Sequence, residues 1–266
     1  MNIRNELINE ICKGQGITID YLSDDYILRL TKGVKIRHIF GPYWDINNAA
    51  ADRLACDKAA CYTILKKCKI PAVEHKLIYN PTRWTYLLTS SGNTNDILSF
   101  FEANNKKIVV KPVDGAQGRD VYYCDTMLAV EQAIHTIFAI EPHATLCPYY
   151  DISTEYRVFY LNGRVYYTYG KTKGDDWRHN LAQGAKAFDV NNGNLRELLA
   201  NLAMKAAKCI DINFATIDIA TIENNELLVM EINSGVQAQH LLKQLPHRRN
   251  TIKNIYADAI TSMFRD

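Results

Sequence analysis

The stretch that most constrains the fold is residues 215–237, ATIDIATIENNELLVMEINSGVQ. Two apolar runs flank a polar turn. Each run is short and rich in Ile, Val and Leu, which predicts a hairpin of buried strands rather than a helix or a solvated loop. Asp218, Glu231 and Asn233 interrupt it. Side chains alternate along a strand. In LLVMEIN the alternation sets Leu228, Met230 and Ile232 on one face and Leu227, Val229, Glu231 and Asn233 on the other. In TIDIA it opposes Asp218 to Ile217 and Ile219. Asn tolerates the positive φ of a tight turn, so Asn224-Asn225 is the expected two-residue loop. With that loop, Asp218 falls directly opposite Glu231, the side chains ~5 Å apart. Two bare carboxylates there repel, so the pattern wants a bound cation. Two carboxylates and an amide suit Mg²⁺ or Mn²⁺ rather than zinc. The competing reading is a solvated strand face with chance acids.

Composition narrows the setting. With 47% hydrophobic residues, the 266-residue chain can build a sizeable core, as one large domain or two to three small lobes. A net charge of +2 gives no bulk electrostatic case for nucleic acid, and KQLPHRRNTIK reads as a solvated basic helix start. No apolar run approaches the ~20 residues a membrane span needs. The N-terminus, MNIRNELINEICKGQG, is too charged for a secretory signal. Seven cysteines (12, 56, 61, 68, 124, 147 and 209) form no C-x-x-C pair, which favours reduced thiols in the cytoplasm over disulfides or zinc. Cys147 reads as a small buried packing residue.

Along the chain, Ile3, Leu7, Ile8 and Ile11 recur at helical spacing, with Gly14 as the expected stop. ITIDYL, YILRLT and VKIRHIF are short β-like runs. NNAAADRLACDKAACYTILKKCKIP reads as one helix, opened by an Asn cap and ended before Pro71. KKIVVKPVDGAQGRDVYYC is strand, glycine-bearing loop, strand; TMLAVEQAIHTIF is a helix. EYRVFYLNGRVYYTYGKT is a hairpin turning at Asn162-Gly163. Leu195, Leu198, Leu199 and Leu202 form the apolar stripe of a helix, and a final helix begins at about Thr251. Helices and hairpins are mixed, which argues for an α+β fold.

On the anion side, Lys111 ends a strand just before Gly115 and Gly118. Glycines let backbone N–H groups approach an anion, and a lysine supplies a point charge for phosphate. The stretch is neither a Walker A loop nor a G-x-G-x-x-G, and a plain β-turn is the alternative. Lys58 by default is a solvated helix residue. RHNLAQGAKA, with Arg178 and Asn180, is by default a polar loop, although Arg178 with Lys171 and Lys173 could contact anionic oxygens. His179 stands beside them as a loop histidine, with a general-base role as the alternative.

In this order, DKAACYTILKKCKIPAVE, VVKPVDGAQGRDV, CPYYDISTEYRVFYLNGRV, RHNLAQGAKA, ATIDIA and VMEINSGVQ resemble the ATP-grasp superfamily. Its nearest branch is the RimK-type, glutathione-synthetase-like and cyanophycin-synthetase-like carboxylate–amine ligases. Each motif is weak singly; the ordered set, across two thirds of the chain, is specific. The resemblance implies an ATP-grasp fold of two α+β lobes clasping ATP: a short N-terminal segment (1–56), a lid lobe (57–147) and a C-terminal lobe (148–266). It implies Asp218, Glu231 and Asn233 as magnesium ligands, and Lys58 near the nucleotide. Lys111 would contact phosphate and adenine. Pro148, Tyr149 and Tyr150 would form the adenine hinge, with Asp151 at the ribose, and Gly115, Gln117 and Gly118 the loop over the phosphates. Arg157, Arg178 and Asn180 would lie near the γ-phosphate and acyl phosphate. The implied activity is ATP- and Mg²⁺-dependent joining of a carboxylate to the amine of an amino acid or peptide through an acyl phosphate, releasing ADP and phosphate. A kinase on the same fold and a non-catalytic nucleotide-binding protein are the alternatives. A homo-oligomer is left open. Two features depart from the family: Gly184-Ala185 stands where relatives often carry two glycines, and the segment before Asp57 is short for a substrate lobe, so a partner subunit could complete the site.

Overall fold

The computed structural model describes residues 2–80, 94–115, 118–174 and 177–265. The chain opens with helix α1 (Ile3–Gln15), whose stop is Gly16 in the left-handed region (φ 66), not Gly14. Strands β1 (Thr18–Leu22), β2 (Ile27–Lys32), β3 (Lys35–Phe40) and β4 (Tyr43–Trp44) follow as an antiparallel meander.

The stretch expected to be one helix is two, α2 (Ala49–Cys56) and α3 (Lys58–Lys67). Asn48 caps the first as expected, accepting from Ala51 N–H at 2.8 Å. Asp57 ends it: its backbone is extended and its carboxylate accepts from Ala59 and Ala60 N–H at 3.0 and 2.9 Å. A short acceptor side chain inside a helical run competes with the helix and restarts it, worth about 1 kcal/mol as a cap. The break turns Lys58 inward.

Two further sheets carry the rest. One is antiparallel and four-stranded, ordered β5 (Lys76–Tyr79), β8 (His143–Pro148), β6 (Ile108–Pro112) and β7 (Tyr122–Cys124). Helices α4 (Thr94–Ala103) and α5 (Met127–Ile140) cover it, with Phe101, Val130 and Ile137 in a shared core. The other is five-stranded, ordered β11 (Lys186–Asp189), β10 (Arg164–Thr172), β9 (Thr154–Leu161), β12 (Phe214–Thr221) and β13 (Leu227–Asn233). Helix α6 (Gly193–Cys209) packs on one face through Leu199, Ala203, Ala206 and Ala207, beside α2 and α3. Leu198 was expected in that stripe but is 59% exposed; at 100° per residue it sits a quarter-turn from Leu199. After β13 come α7 (Gln239–Gln244) and α8 (Arg249–Met263), the last starting at Arg249 rather than Thr251. Helices α1 and α8, the N-terminal sheet and the far end of the five-stranded sheet share one core around Trp44, Phe214 and Tyr256. These mixed helices and antiparallel sheets are the α+β class expected.

The β9–β10 hairpin turns at Asn162-Gly163, both at positive φ (47 and 81), as expected. The β12–β13 hairpin departs from expectation. Its connection is not the two residues Asn224-Asn225 but a single helical turn over Glu223–Asn225, closed by Ile222 N–H to Glu226 C=O at 2.9 Å. The register then shifts between Asp218 and Ile219, so Met230 is an extra, bulged residue: Ile219 pairs with Val229, yet Asp218 pairs with Glu231. The longer turn and the bulge offset each other, and the expected pair results. The bulge also redistributes the faces. Val229 and Ile232 enter the core under α6, while Leu228 and Met230 pack with Val109, Cys147, Tyr149 and Tyr150 on the opposite side.

Candidate active site

Strand pairing aligns one row across the five-stranded sheet: Tyr169 opposite Arg157, Arg157 opposite Asp218, Asp218 opposite Glu231. In a sheet, residues in register project to the same face, and here that face is the one away from α6. Asp218 is 2% exposed. Arg157 grips it with two hydrogen bonds, Nε to Oδ1 at 2.7 Å and Nη2 to Oδ2 at 2.5 Å. Lys171 adds a third at 3.4 Å and also pairs with Glu155. The charge problem that suggested an outside cation is therefore met within the protein. Burial alone would raise the Asp218 carboxyl; Arg157 and Lys171 overrule it and hold it well below the usual carboxylate range. Burial opposes charge on Lys171 too, but Asp218 and Glu155 keep the ammonium protonated. Glu155 itself is pushed up by burial and by the nearby Asp218 charge.

Glu231 is more open, with 28% of its side chain exposed. Its Oε1 accepts from Asn233 Nδ2 at 3.2 Å, and the same amide lies 3.5 Å from Asp218 Oδ2. The three expected metal ligands thus converge. Turning the Asn233 amide over presents its oxygen in place of the N–H group, so the donors fit an oxygen-preferring divalent cation. Among the described residues no group of three or more His, Cys, Asp or Glu side chains forms a metal cluster; the third donor here is the amide.

Two cavities meet at this row. The first, about 140 Å³, lies between the four- and five-stranded sheets. Lys111, Gly115, Gly118, Pro148, Tyr149, Tyr150 and Arg178 all line it. Val109, Cys147 and Met230 give it an apolar slot suited to a flat base. Tyr149 meets Tyr123 edge-on at 4.7 Å and Trp177 at 5.9 Å. The glycine-bearing loop is tied to the Arg178 segment: Gly118 C=O accepts from Arg178 Nη1 at 2.9 Å and from Gln183 Nε2 at 3.3 Å. Gly118 has φ 69, a conformation that strains other residues, and a Cβ there would lie 2.6 Å from Asn180 Oδ1. Gln117 lies outside the described residues.

Lys58 is not the solvated residue its helix position suggested. It is 9% exposed, and its Nζ donates to Gly115 C=O at 2.9 Å and Val113 C=O at 3.3 Å, with Glu231 4.0 Å away. Burial lowers its ammonium pKa, partly offset by Glu231. Asp151 is the residue not brought in: it pairs at 3.4 Å with Lys173, its side chain 75% exposed. His179 is a loop residue as expected, but a buried one. It is 5% exposed, its Nε2 has no partner among the described residues, and burial with the Lys171 charge pushes its pKa down. Cys147 is buried as expected, its thiol pushed up by burial.

The second cavity, about 240 Å³, runs from the same row to the N-terminal hairpin and the loop after β13. Lys58, Gly115, Asn180 and Glu231 line both cavities. Glu155, Tyr43, Cys56 and Ser234 were not expected at the site. Glu155 had a signal: it stands two residues from Arg157 in an otherwise apolar strand. Counting back from the Asn162-Gly163 turn pairs it with Gly170, because a register shift between Val165 and Tyr167 is invisible in sequence; its true partner is Lys171.

The sequence model of the RimK-like ATP-grasp domain matches residues 55–251. The chain belongs to the RimK-like ATP-grasp family. Among curated relatives, a probable alpha-L-glutamate ligase of Parasynechococcus marenigrum is 26% identical over 57% of this chain and 32% of that protein. One from Pectobacterium carotovorum subsp. carotovorum is 28% identical over 55% of this chain and 47% of that protein. The chain thus spans a third to a half of the length of these relatives. D-alanine–D-alanine ligase from Bacillus anthracis, solved in complex with ATP, shares the ATP-grasp fold at TM-score 0.62 and 16% identity, over 82% of this chain and 69% of that one.

Proposed function

We propose that the protein is an ADP-forming carboxylate–amine ligase. The observation that carries this reading is the junction of the two cavities at Lys58, Gly115, Asn180 and Glu231. ATP occupies the first cavity, its adenine between Val109, Cys147 and Met230 at the Pro148–Tyr150 hinge and its phosphates beside Gly115 and Gly118. The acid substrate occupies the second. Its carboxylate oxygen attacks the γ-phosphorus at the junction, and ADP leaves. An amine then attacks the acyl carbon and phosphate departs with that oxygen. Lys58, Lys111 and Arg178 orient the phosphates and stabilise developing charge. The names of the curated relatives support an amino-acid substrate. Asp218, Glu231 and Asn233 would hold Mg²⁺, which supplies charge neutralisation on the outer phosphates. Arg157 holds Asp218 in place beside the junction through its two hydrogen bonds. The lobe expected at 57–147 would serve as the lid over the nucleotide, with the four-stranded sheet of β5–β8 facing it. Seven unpaired cysteines support a reducing, cytoplasmic setting.

The test uses L-glutamate labelled with oxygen-18 in its carboxylates, ATP, Mg²⁺ and hydroxylamine as a generic amine. Expected products are ADP, a hydroxamate and labelled phosphate. AMP with pyrophosphate, or hydroxamate with unlabelled phosphate, overturns the mechanism. Glu231→Gln should abolish most hydroxamate formation while leaving the unfolding midpoint near wild type.

A further inference from the structure

The second cavity has a wall outside the family match. Pro42 and Tyr43 line it from the hairpin that ends the N-terminal sheet, ahead of residue 55 where the match begins. That hairpin is anchored on the loop after β13. A Cβ on Gly235 would lie 3.0 Å from Pro42 Cβ and 3.1 Å from its Cγ, so the two segments pack at a distance suited to glycine. Trp44 Nε1 donates to Val236 C=O at 3.4 Å, and its ring packs on Phe214 and Tyr256 at 5.3 and 5.0 Å. Tyr43 therefore sits between two residues packed against the rest of the fold.

Three hydrogen-bonding groups from three distant segments meet there. The Tyr43 hydroxyl lies 3.7 Å from Cys56 Sγ, and Cys56 Sγ lies 3.9 Å from Ser234 Oγ. Tyr43 and Cys56 are half-buried and Ser234 is 2% exposed. Burial and the Cys56 thiol push the Tyr43 phenol up, so it stays a neutral donor near pH 7. All three line the second cavity and not the first. A substrate whose reacting carboxylate sits at the junction must extend its remaining atoms toward them.

We propose that Tyr43, seconded by Cys56 and Ser234, is the specificity-determining residue for the acid substrate. It reads a hydrogen-bonding group carried beyond the reacting carboxylate of an amino-acid-sized molecule. This rests on the ligase reading for the direction in which the substrate lies. A neutral hydroxyl–thiol–hydroxyl set selects by hydrogen bonding rather than by charge. A substrate group that replaces the long, weak Tyr43–Cys56 contact with a good hydrogen bond gains affinity that acids lacking the group do not.

The experiment screens the twenty standard amino acids with ATP and Mg²⁺, reading binding by saturation-transfer NMR and turnover as hydroxamate in the presence of hydroxylamine. Wild type should bind a subset with polar side chains. Tyr43→Phe should raise the dissociation constant and KM of that subset about tenfold, with kcat within twofold and ATP affinity by calorimetry unchanged. Ser234→Ala should repeat the effect more weakly, and Cys56→Ser should leave it absent; both variants check that a loss is not misfolding. Tyr43-dependent binding without hydroxamate keeps the pocket and overturns the ligase reading. Hydroxamate with the same amino-acid ranking and KM in wild type and Tyr43→Phe keeps the ligase reading and overturns the pocket. No amino acid binding to wild type also overturns it.

Discussion

Asp218 and Asp189 are both aspartates held by several donors, and they differ chiefly in depth. Asp189 ends β11 near the surface, its side chain 20% exposed. It accepts from Arg248 Nε at 2.8 Å and the Tyr167 hydroxyl at 2.7 Å, and His247 Nε2 lies 2.9 Å away. The Arg248 hydrogen bond leads in holding its carboxyl below the usual range, against a smaller effect of burial. At Asp218 burial is the leading effect and opposes the charge; Arg157 first and then Lys171 reverse it. Pairing near solvent contributes little net stability, whereas a buried ion cluster rarely repays its desolvation yet is costly to break. The Asp189 cluster therefore ties the turn ahead of α8 to the sheet edge at little net stability. The Asp218 cluster is poorly suited to adding stability and well suited to holding opposed charges beside the cavity junction.

The largest expected effect breaks the buried cluster. Arg157→Met leaves Asp218 without its two-pronged partner and should cost about 3–5 kcal/mol in urea unfolding. Adding Asp218→Asn should recover much of that loss, because the stranded charge is gone. A single variant as stable as wild type would mean that Lys171 alone suffices. Next comes the surface cluster: Arg248→Ala should cost about 1 kcal/mol or less, and the difference should shrink between 0.05 and 1 M NaCl. A loss matching that of Arg157→Met would erase the distinction drawn from burial. The smallest effect is in pH. The folded pKa of Asp189 is depressed, so its contribution is complete above the unfolded value of about 3.9 and fades as pH falls through that value toward the folded one. The stability gap between wild type and Asp189→Asn should be full at pH 7 and narrower at pH 3; a gap that widens on acidification contradicts the sign.

Much of the fold was legible because it is local. Apolar periodicity marks α5 and α6, Asn48 announces a helix start, and Asn162-Gly163 demands its hairpin whatever surrounds it. Most residues of the first cavity were named through their ordered resemblance to a family. The Asp218–Glu231 pair was reached through a turn of the wrong length, rescued by a bulge at Met230 that no turn rule foresees.

What the sequence determined by itself, then, is the alternation that makes strands, the caps that start helices, and the presence of acids and an amide in one apolar hairpin. Tertiary structure decided their company. Whether Asp218 meets water, metal or an arginine depends on β9 lying beside β12, a pairing between residues 61 positions apart. Lys58 became a cavity residue because Asp57 restarted a helix whose buried face only the sheet defines. Tyr43, Cys56 and Ser234 carry no shared motif; they meet because the Trp44 hairpin packs on the Gly235 loop. Local rules act over a few residues at a time, while charge compensation and cavity walls are made by segments that only the packed core brings together.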